Sequence, residues 1–176
     1  MTSTGFTLVV AALIIMLAFF NGIREACVVT GQEENIFVLN KGNLDEVLSR
    51  IDVITARQIE NIPEVLRNSD GRPLSSRELY IVVTESESST NEPRLYQLRG
   101  VLPEVWQVHS KAKLVSGRMF TPGSGELIVG KGFQSELKLQ LDDLLQVGVR
   151  KWRIVGVFEA DGATFESEIW GDLGEL

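Results

Sequence analysis

Eighteen consecutive residues, Phe6–Ile23, carry no charged side chain. As a helix this run is ~27 Å long at about 1.5 Å per residue, close to the ~30 Å hydrocarbon thickness of a bilayer. It is apolar on every side, whereas a helix packed on a soluble core keeps a polar stripe for water. A cleaved leader is the competing reading. Against it, Met1–Gly5 has no basic side chain, and Asn21-Gly22-Ile23-Arg24-Glu25-Ala26 is a poor small-x-small cleavage site. The run is therefore read as a retained transmembrane anchor, residues 1–27, followed by a folded extracytoplasmic domain, residues 28–176. Lys and Arg are absent from the N-terminal flank, so charge encodes orientation weakly, and Arg24 alone favours placing the C-terminal flank inside.

A domain of about this length buries roughly 70% of its unfolded surface, enough for one real core. The net charge of −7, with 17 basic residues scattered along the chain, excludes a nucleic-acid partner, which requires clustered Lys and Arg. The single cysteine, Cys27, excludes an internal disulfide, and the single histidine, His109, leaves no His/Cys set for zinc. Cys27 is read as structural or incidental, because Arg24-Glu25-Ala26 is a poor approach to a lipid-bearing cysteine.

Past the anchor, Asn35–Asn40 reads as a strand closed by the turn Lys41-Gly42-Asn43, and Leu44–Arg50 as a short amphipathic turn or helix. Thr55 is the expected N-cap of a helix that carries Ala56, Ile59 and Ile62 on one face and stops before Pro63. A loop follows at Asn68–Pro73. Glu78–Thr84 and Leu95–Val101 are dense in β-formers and form a hairpin around the polar tip Glu85–Pro93. Glu126–Val129, Asp143–Val147 and Trp152–Phe158 are three further strands, the last two joined by a turn at Gly148–Lys151. Pro103–Trp106 and Lys111–Gly117 read as helix-like turns, and Gly130–Lys138 as a helix. Phe165–Trp170 is apolar at near-alternate positions, with no closing element after it. The pattern is α+β, without internal repeats.

No motif in the chain assigns a catalytic, cofactor-binding or metal-ligating residue. Gly130-Lys131-Gly132 lacks the rest of a phosphate loop and is read as a turn. Asp161, Glu166, Glu168 and Asp172 lack the calcium-loop pattern and are read as a solvated acidic loop. His109 has no nucleophile elbow to serve and is expected at the surface or half buried. Trp106, Trp152 and Trp170 are expected in the core. These residues describe a membrane-tethered binding or mechanical domain that is not an enzyme.

Several strings in fixed order carry a resemblance: Asn35-Ile36-Phe37-Val38-Leu39-Asn40-Lys41-Gly42, Ser76-Arg77-Glu78-Leu79-Tyr80, Arg99-Gly100-Val101, Ser116-Gly117-Arg118-Met119-Phe120, Glu126-Leu127-Ile128-Val129-Gly130 and Trp152–Phe158, with Gly162–Asp172 after them. Together with the anchor, the chain resembles the permease subunits of ABC transporters of the MacB/FtsX/LolC-like superfamily. The resemblance implies an N-terminal transmembrane helix with its N-terminus in the cytoplasm, and a MacB-like periplasmic core domain with a β-rich lobe. It implies a single-pass protein of the inner membrane whose bulk is periplasmic or extracellular. The implied partners are a separate ABC ATPase subunit, the remaining permease segment or a second permease, a periplasmic adaptor and the lipid bilayer. ATP hydrolysis by the partner would drive export or mechanotransmission. Family permeases continue through three more transmembrane helices, and this chain has no second apolar run, so it is read as a truncated or split permease. A free-standing anchored adaptor or binding domain is the alternative.

Overall fold

The computed structural model describes residues 2–30, 35–86 and 93–176, with side chains for 5–24, 35–84 and 93–176. The chain divides into two compact units, residues 1–35 and 36–176. The first is a single helix, α1 (Thr2–Thr30). Within it Gly5–Arg24 has a mean hydropathy of 2.5 and is long and apolar enough to cross a membrane. Its described side chains, from Gly5 to Arg24, are all exposed. The side chain of Cys27 lies outside the described residues.

The second unit opens with an irregular segment where the sequence suggests a strand at Asn35–Asn40. A strand needs a neighbour for its backbone groups, and here Asn40 donates its N–H to Ser49 Oγ (2.8 Å) and its side-chain amide to the Arg50 carbonyl (2.9 Å). Ile36 is left 86% exposed, with no sheet face to cover it. Lys41-Gly42 turns as expected, with Gly42 at φ 93°. The next helix, α2 (Val53–Glu60), is capped by Asp52 and not by Thr55. Asp52 is extended, and its Oδ1 accepts from the N–H groups of Ile54 (3.0 Å) and Thr55 (2.9 Å), while the Thr55 hydroxyl donates to Oδ2 (2.6 Å). The threonine supports the cap from inside the first turn. α2 ends at Glu60, short of Ile62. The loop at Asn68–Pro73 is present and wraps around Asn68 Oδ1, which accepts from the N–H groups of Asp70 and Arg72.

The β-lobe contains β1 (Leu79–Ser86), β2 (Pro93–Val101), α3 (Val105–Val108), β3 (Lys113–Gly117), β4 (Glu126–Gly130), α4 (Lys131–Leu137), β5 (Leu144–Val147), β6 (Arg150–Glu159) and β7 (Glu168–Asp172), the last preceded by a 3₁₀ turn at Thr164–Ser167. The strands form one mixed sheet in the order β1-β2-β7-β4-β6-β3, with β5 also paired to β6. The expected hairpin is β1 and β2, antiparallel from Leu79↔Gly100 to Ser86↔Pro93, and its tip at 87–92 lies outside the described residues. Gly148-Val149 makes the two-residue turn between β5 and β6, with Gly148 at φ 62°.

Two further assignments from sequence are corrected. Lys111–Gly117 is not a helical turn: Lys113–Gly117 is an edge strand against β6, with a bulge between Leu114 and Ser116. The apolar residues near the end also do close the fold. β7 lies inside the sheet, parallel to β2 and antiparallel to β4, and all five of its residues are buried. Its two terminal carboxylates hide that burial in the sequence.

Strand alternation sorts the side chains onto two faces. Leu98, Leu127, Val129, Ile154, Val157 and Ile169 join Phe133 of α4, Leu145, Val147 and Trp152 in one apolar cluster. Ile154 and Val157 share a face despite odd spacing because the β4–β6 register slips between Leu127 and Ile128. The opposite face carries Arg99, Phe158, Glu168 and Trp170. Gly130 ends β4 and caps α4, so Gly130-Lys131-Gly132 is a strand-to-helix junction. A Cβ on Gly130 would lie 2.2 Å from the Glu166 carbonyl oxygen. Gly130→Ala is therefore expected to cost about 1–3 kcal/mol, read from the shift in urea midpoint.

Candidate functional site

Arg99 stands in β2 between Leu98 and Gly100 and pairs in register with Trp170 of β7. With Leu98 committed to the apolar cluster, alternation turns Arg99 to the other face, where its side chain is 2% exposed. A buried guanidinium must be paired, and each of the three nitrogens of this one meets a carboxylate. Its Nε and Nη2 donate to Glu168 Oε2 (2.7 Å) and Oε1 (2.8 Å), a bidentate pair. Its Nη1 donates to Glu46 Oε2 (2.6 Å) and Glu78 Oε2 (2.9 Å). Trp170 Nε1 donates to Glu168 Oε2 (2.9 Å), and the guanidinium lies over the rings of Tyr80 (4.8 Å) and Phe165 (5.2 Å).

His109 extends the cluster, with Nε2 2.8 Å from Glu78 Oε1. Burial pushes the Glu78 carboxyl up, but the hydrogen bond and charge of His109, with the charge of Arg99, outweigh it and hold the group below the ordinary carboxylate range. An ionised carboxylate only accepts, so His109 Nε2 carries the proton in this bond. Burial would lower the Arg99 pKa, but hydrogen bonding to and charge on Glu168 dominate with Glu78 and Glu46, and Arg99 stays cationic. Burial, reinforced by the Glu168 charge, pushes the Tyr80 hydroxyl up, so it stays neutral.

The residues singled out from sequence reach this region unevenly. His109 is buried, not at the surface: it follows α3, and its ring packs on Phe165 (4.6 Å between centroids) and Trp170 (5.9 Å). The four acidic residues do not share a solvated loop. Glu168 is buried against Arg99, and Asp172 is buried and accepts from the N–H groups of Gly123 (3.0 Å) and Gly174 (3.2 Å). Glu166 Oε1 accepts from the N–H groups of Ala160 (2.8 Å) and Gly162 (2.9 Å), while Asp161 is exposed at φ 50°. Each carboxylate has its own local task. Among the described residues, no three His, Cys, Asp or Glu side chains gather as a metal site. Trp152 and Trp170 are buried as expected, on opposite faces, and half-buried Trp106 packs at a tilt on Trp170 (5.6 Å) and edge-to-face on Phe158 (6.3 Å). Sequence reasoning missed Arg99, Glu78 and Glu46. The available signal was a lone arginine inside a β-forming run.

A second ion pair braces the loop between β3 and β4. Arg118 Nη1 donates to Glu126 Oε2 (2.8 Å), which also accepts from the Thr121 N–H (3.0 Å). Hydrogen bonding to Arg118, opposed by burial and helped by the Thr121 N–H, pushes the Glu126 carboxyl down to about 2. A depressed folded-state pKa stabilises above the unfolded value, and that stabilisation is lost as pH falls through the folded one. Wild-type stability is thus expected to fall between pH 4.5 and about 2. The Glu126→Gln chain should show a shallower slope there in urea titrations run across that range.

A profile of the MacB-like periplasmic core domain matches residues 1–175. No curated protein matches the chain. Among solved structures, the extracellular domain of the noncanonic ABC-type transporter YknZ from Gram-positive bacteria is similar, with 18% identity, a TM-score of 0.45, and coverage of 68% of this chain and 61% of that one. A domain of a candidate permease protein from Porphyromonas gingivalis is similar at 14% identity and a TM-score of 0.47, covering 69% of this chain and 51% of that one. The chain thus spans between half and two thirds of the length of these two solved domains. With the apolar helix, the mixed α+β lobe and a match across nearly every residue, the chain belongs to the MacB-like periplasmic core domain family.

Proposed function

We propose that the chain is a permease-type membrane component of an ABC transporter, acting in export or mechanotransmission and drawing on ATP hydrolysis by a separate subunit. The observation that carries this reading is the family match, which begins at the apolar helix and continues through the folded domain. Residues 1–27 would anchor the chain in the inner membrane with the N-terminus in the cytoplasm, and residues 28–176 would work on the periplasmic or extracellular side. The domain's part is non-catalytic: a packed sheet joined through the chain to a membrane helix suits the relay of displacement. The remaining permease segment or a second permease would complete the membrane gate, and a periplasmic adaptor is a further partner of this reading.

Affinity purification of the tagged full chain from mild detergent, with mass spectrometry of co-purifying proteins, tests it. An ABC ATPase recovered with a polytopic permease partner is the expected result. Recovery of the chain alone from the membrane would sink the transporter reading and favour a free-standing anchored adaptor or binding domain.

A further inference from the structure

Every buried side chain among the described residues lies between Leu98 and Asp172, so residues 36–75 contribute none to the core of the lobe. Even α2 buries no residue. Side chains of this segment nevertheless reach the following part of the chain through polar contacts. Glu46 meets Arg99 Nη1 at 2.6 Å, Glu60 meets Arg77 Nε at 3.1 Å, and Asn68 Nδ2 donates to Gln107 Oε1 at 3.3 Å. The first is the one whose partner is fully buried: Arg99 is 2% exposed and Glu46 34%.

The loop that carries Glu46 is folded on itself. Asn43 Nδ2 donates to the Leu48 carbonyl (3.2 Å), Asp45 Oδ1 accepts from the Leu48 N–H (3.0 Å), and Asn40 binds Ser49 and Arg50 across the loop mouth. Leu44 and Leu48 point outward, 98% and 69% exposed, so little apolar burial around Glu46 holds this loop on the sheet. Arg99, by contrast, keeps its bidentate partner Glu168 and its second Nη1 partner Glu78 whether or not Glu46 is present.

We infer that Glu46 and Arg99 form a latch: the loop of residues 40–50 lifts from the β-lobe when this pair breaks, while the lobe stays folded around Arg99 and Glu168. Arg99 is then the fixed post and Glu46 the movable catch. Such a joint lets one part of the domain shift against a rigid sheet, which is how hinge motions use a few polar contacts at the boundary of packed units.

Amide hydrogen exchange on the full chain in detergent micelles, wild type against Glu46→Ala, tests the latch without requiring any transporter partner. Its failure would therefore leave the proposed function standing. The expected result is exchange about tenfold faster within residues 40–50, where the N–H groups of Asn43, Leu48 and Ser49 bond inside a loop that has lost its anchor to the lobe, with residues 53–75 and β2, β4 and β7 unchanged. Glu46→Gln, which keeps an acceptor oxygen but not the charge, should fall between the two. Unchanged exchange in 40–50 overturns the inference. So does faster exchange spread equally through β2, β4 and β7, since the loop and the lobe would then open as a single unit.

Discussion

Glu168→Ala is expected to lower the stability of the domain by about 3–5 kcal/mol, the cost of leaving a buried charge without its partner. Arg99 Nε and Nη2 would both lose their acceptor inside the sheet, and Trp170 Nε1 would lose the same carboxylate. Glu78 and Glu46 cannot take over, because both already sit on Nη1. Glu168→Gln keeps an acceptor of the same shape and should cost less, about 1–3 kcal/mol. Urea unfolding of the full chain in mild detergent, followed by tryptophan fluorescence, reads both changes, since Trp170 reports on the site directly. A loss below about 1 kcal/mol for the alanine variant would mean that the cluster does not organise the lobe.

The second large effect falls on Trp170 itself. Trp170→Ala is expected to cost about 3–5 kcal/mol, as for other buried tryptophans truncated in well-packed interiors. The side chain is fully buried and touches Phe158 at 4.2 Å between ring centroids, Trp106 at 5.6 Å and Phe165 at 6.0 Å. It therefore holds β6, α3 and the 3₁₀ turn against β7. Trp170→Phe keeps a stacking ring and loses the indole donor to Glu168, so it should retain more than half of the lost stability. Equal losses for the two variants would show that the donor, and not ring packing, sets the cost.

These two residues also mark where sequence reading stops. The β1–β2 hairpin, β4, β5, β6 and α4 were legible because each is a local run of β-formers or a helix flanked by glycine and turn residues. β7 was not. Glu168-Ile169-Trp170-Gly171-Asp172 carries a charge at each end, and nothing local shows that those charges are buried and bonded. Lys113–Gly117 became a strand only because β6 presents a free edge to it. Ile36-Phe37-Val38 has strong β propensity and forms no strand, because no described strand pairs with it. Propensity describes a residue's fit to a pleated surface and cannot supply the neighbouring strand.

From its residues alone the chain reads as an α+β protein of the MacB-like kind with an N-terminal apolar helix, because an uncharged 18-residue run and an ordered set of strand and turn strings are one-dimensional features. The tertiary structure alone decided which charges are buried. Arg99 and Glu168 are 69 residues apart, and they meet because parallel pairing of β2 with β7 sets Gln97 opposite Glu168 and Arg99 opposite Trp170, with the pleat turning Arg99 and Glu168 to one face. The same two residues one register step apart would face opposite sides of the sheet, which is why their partnership is a property of the register and not of either residue.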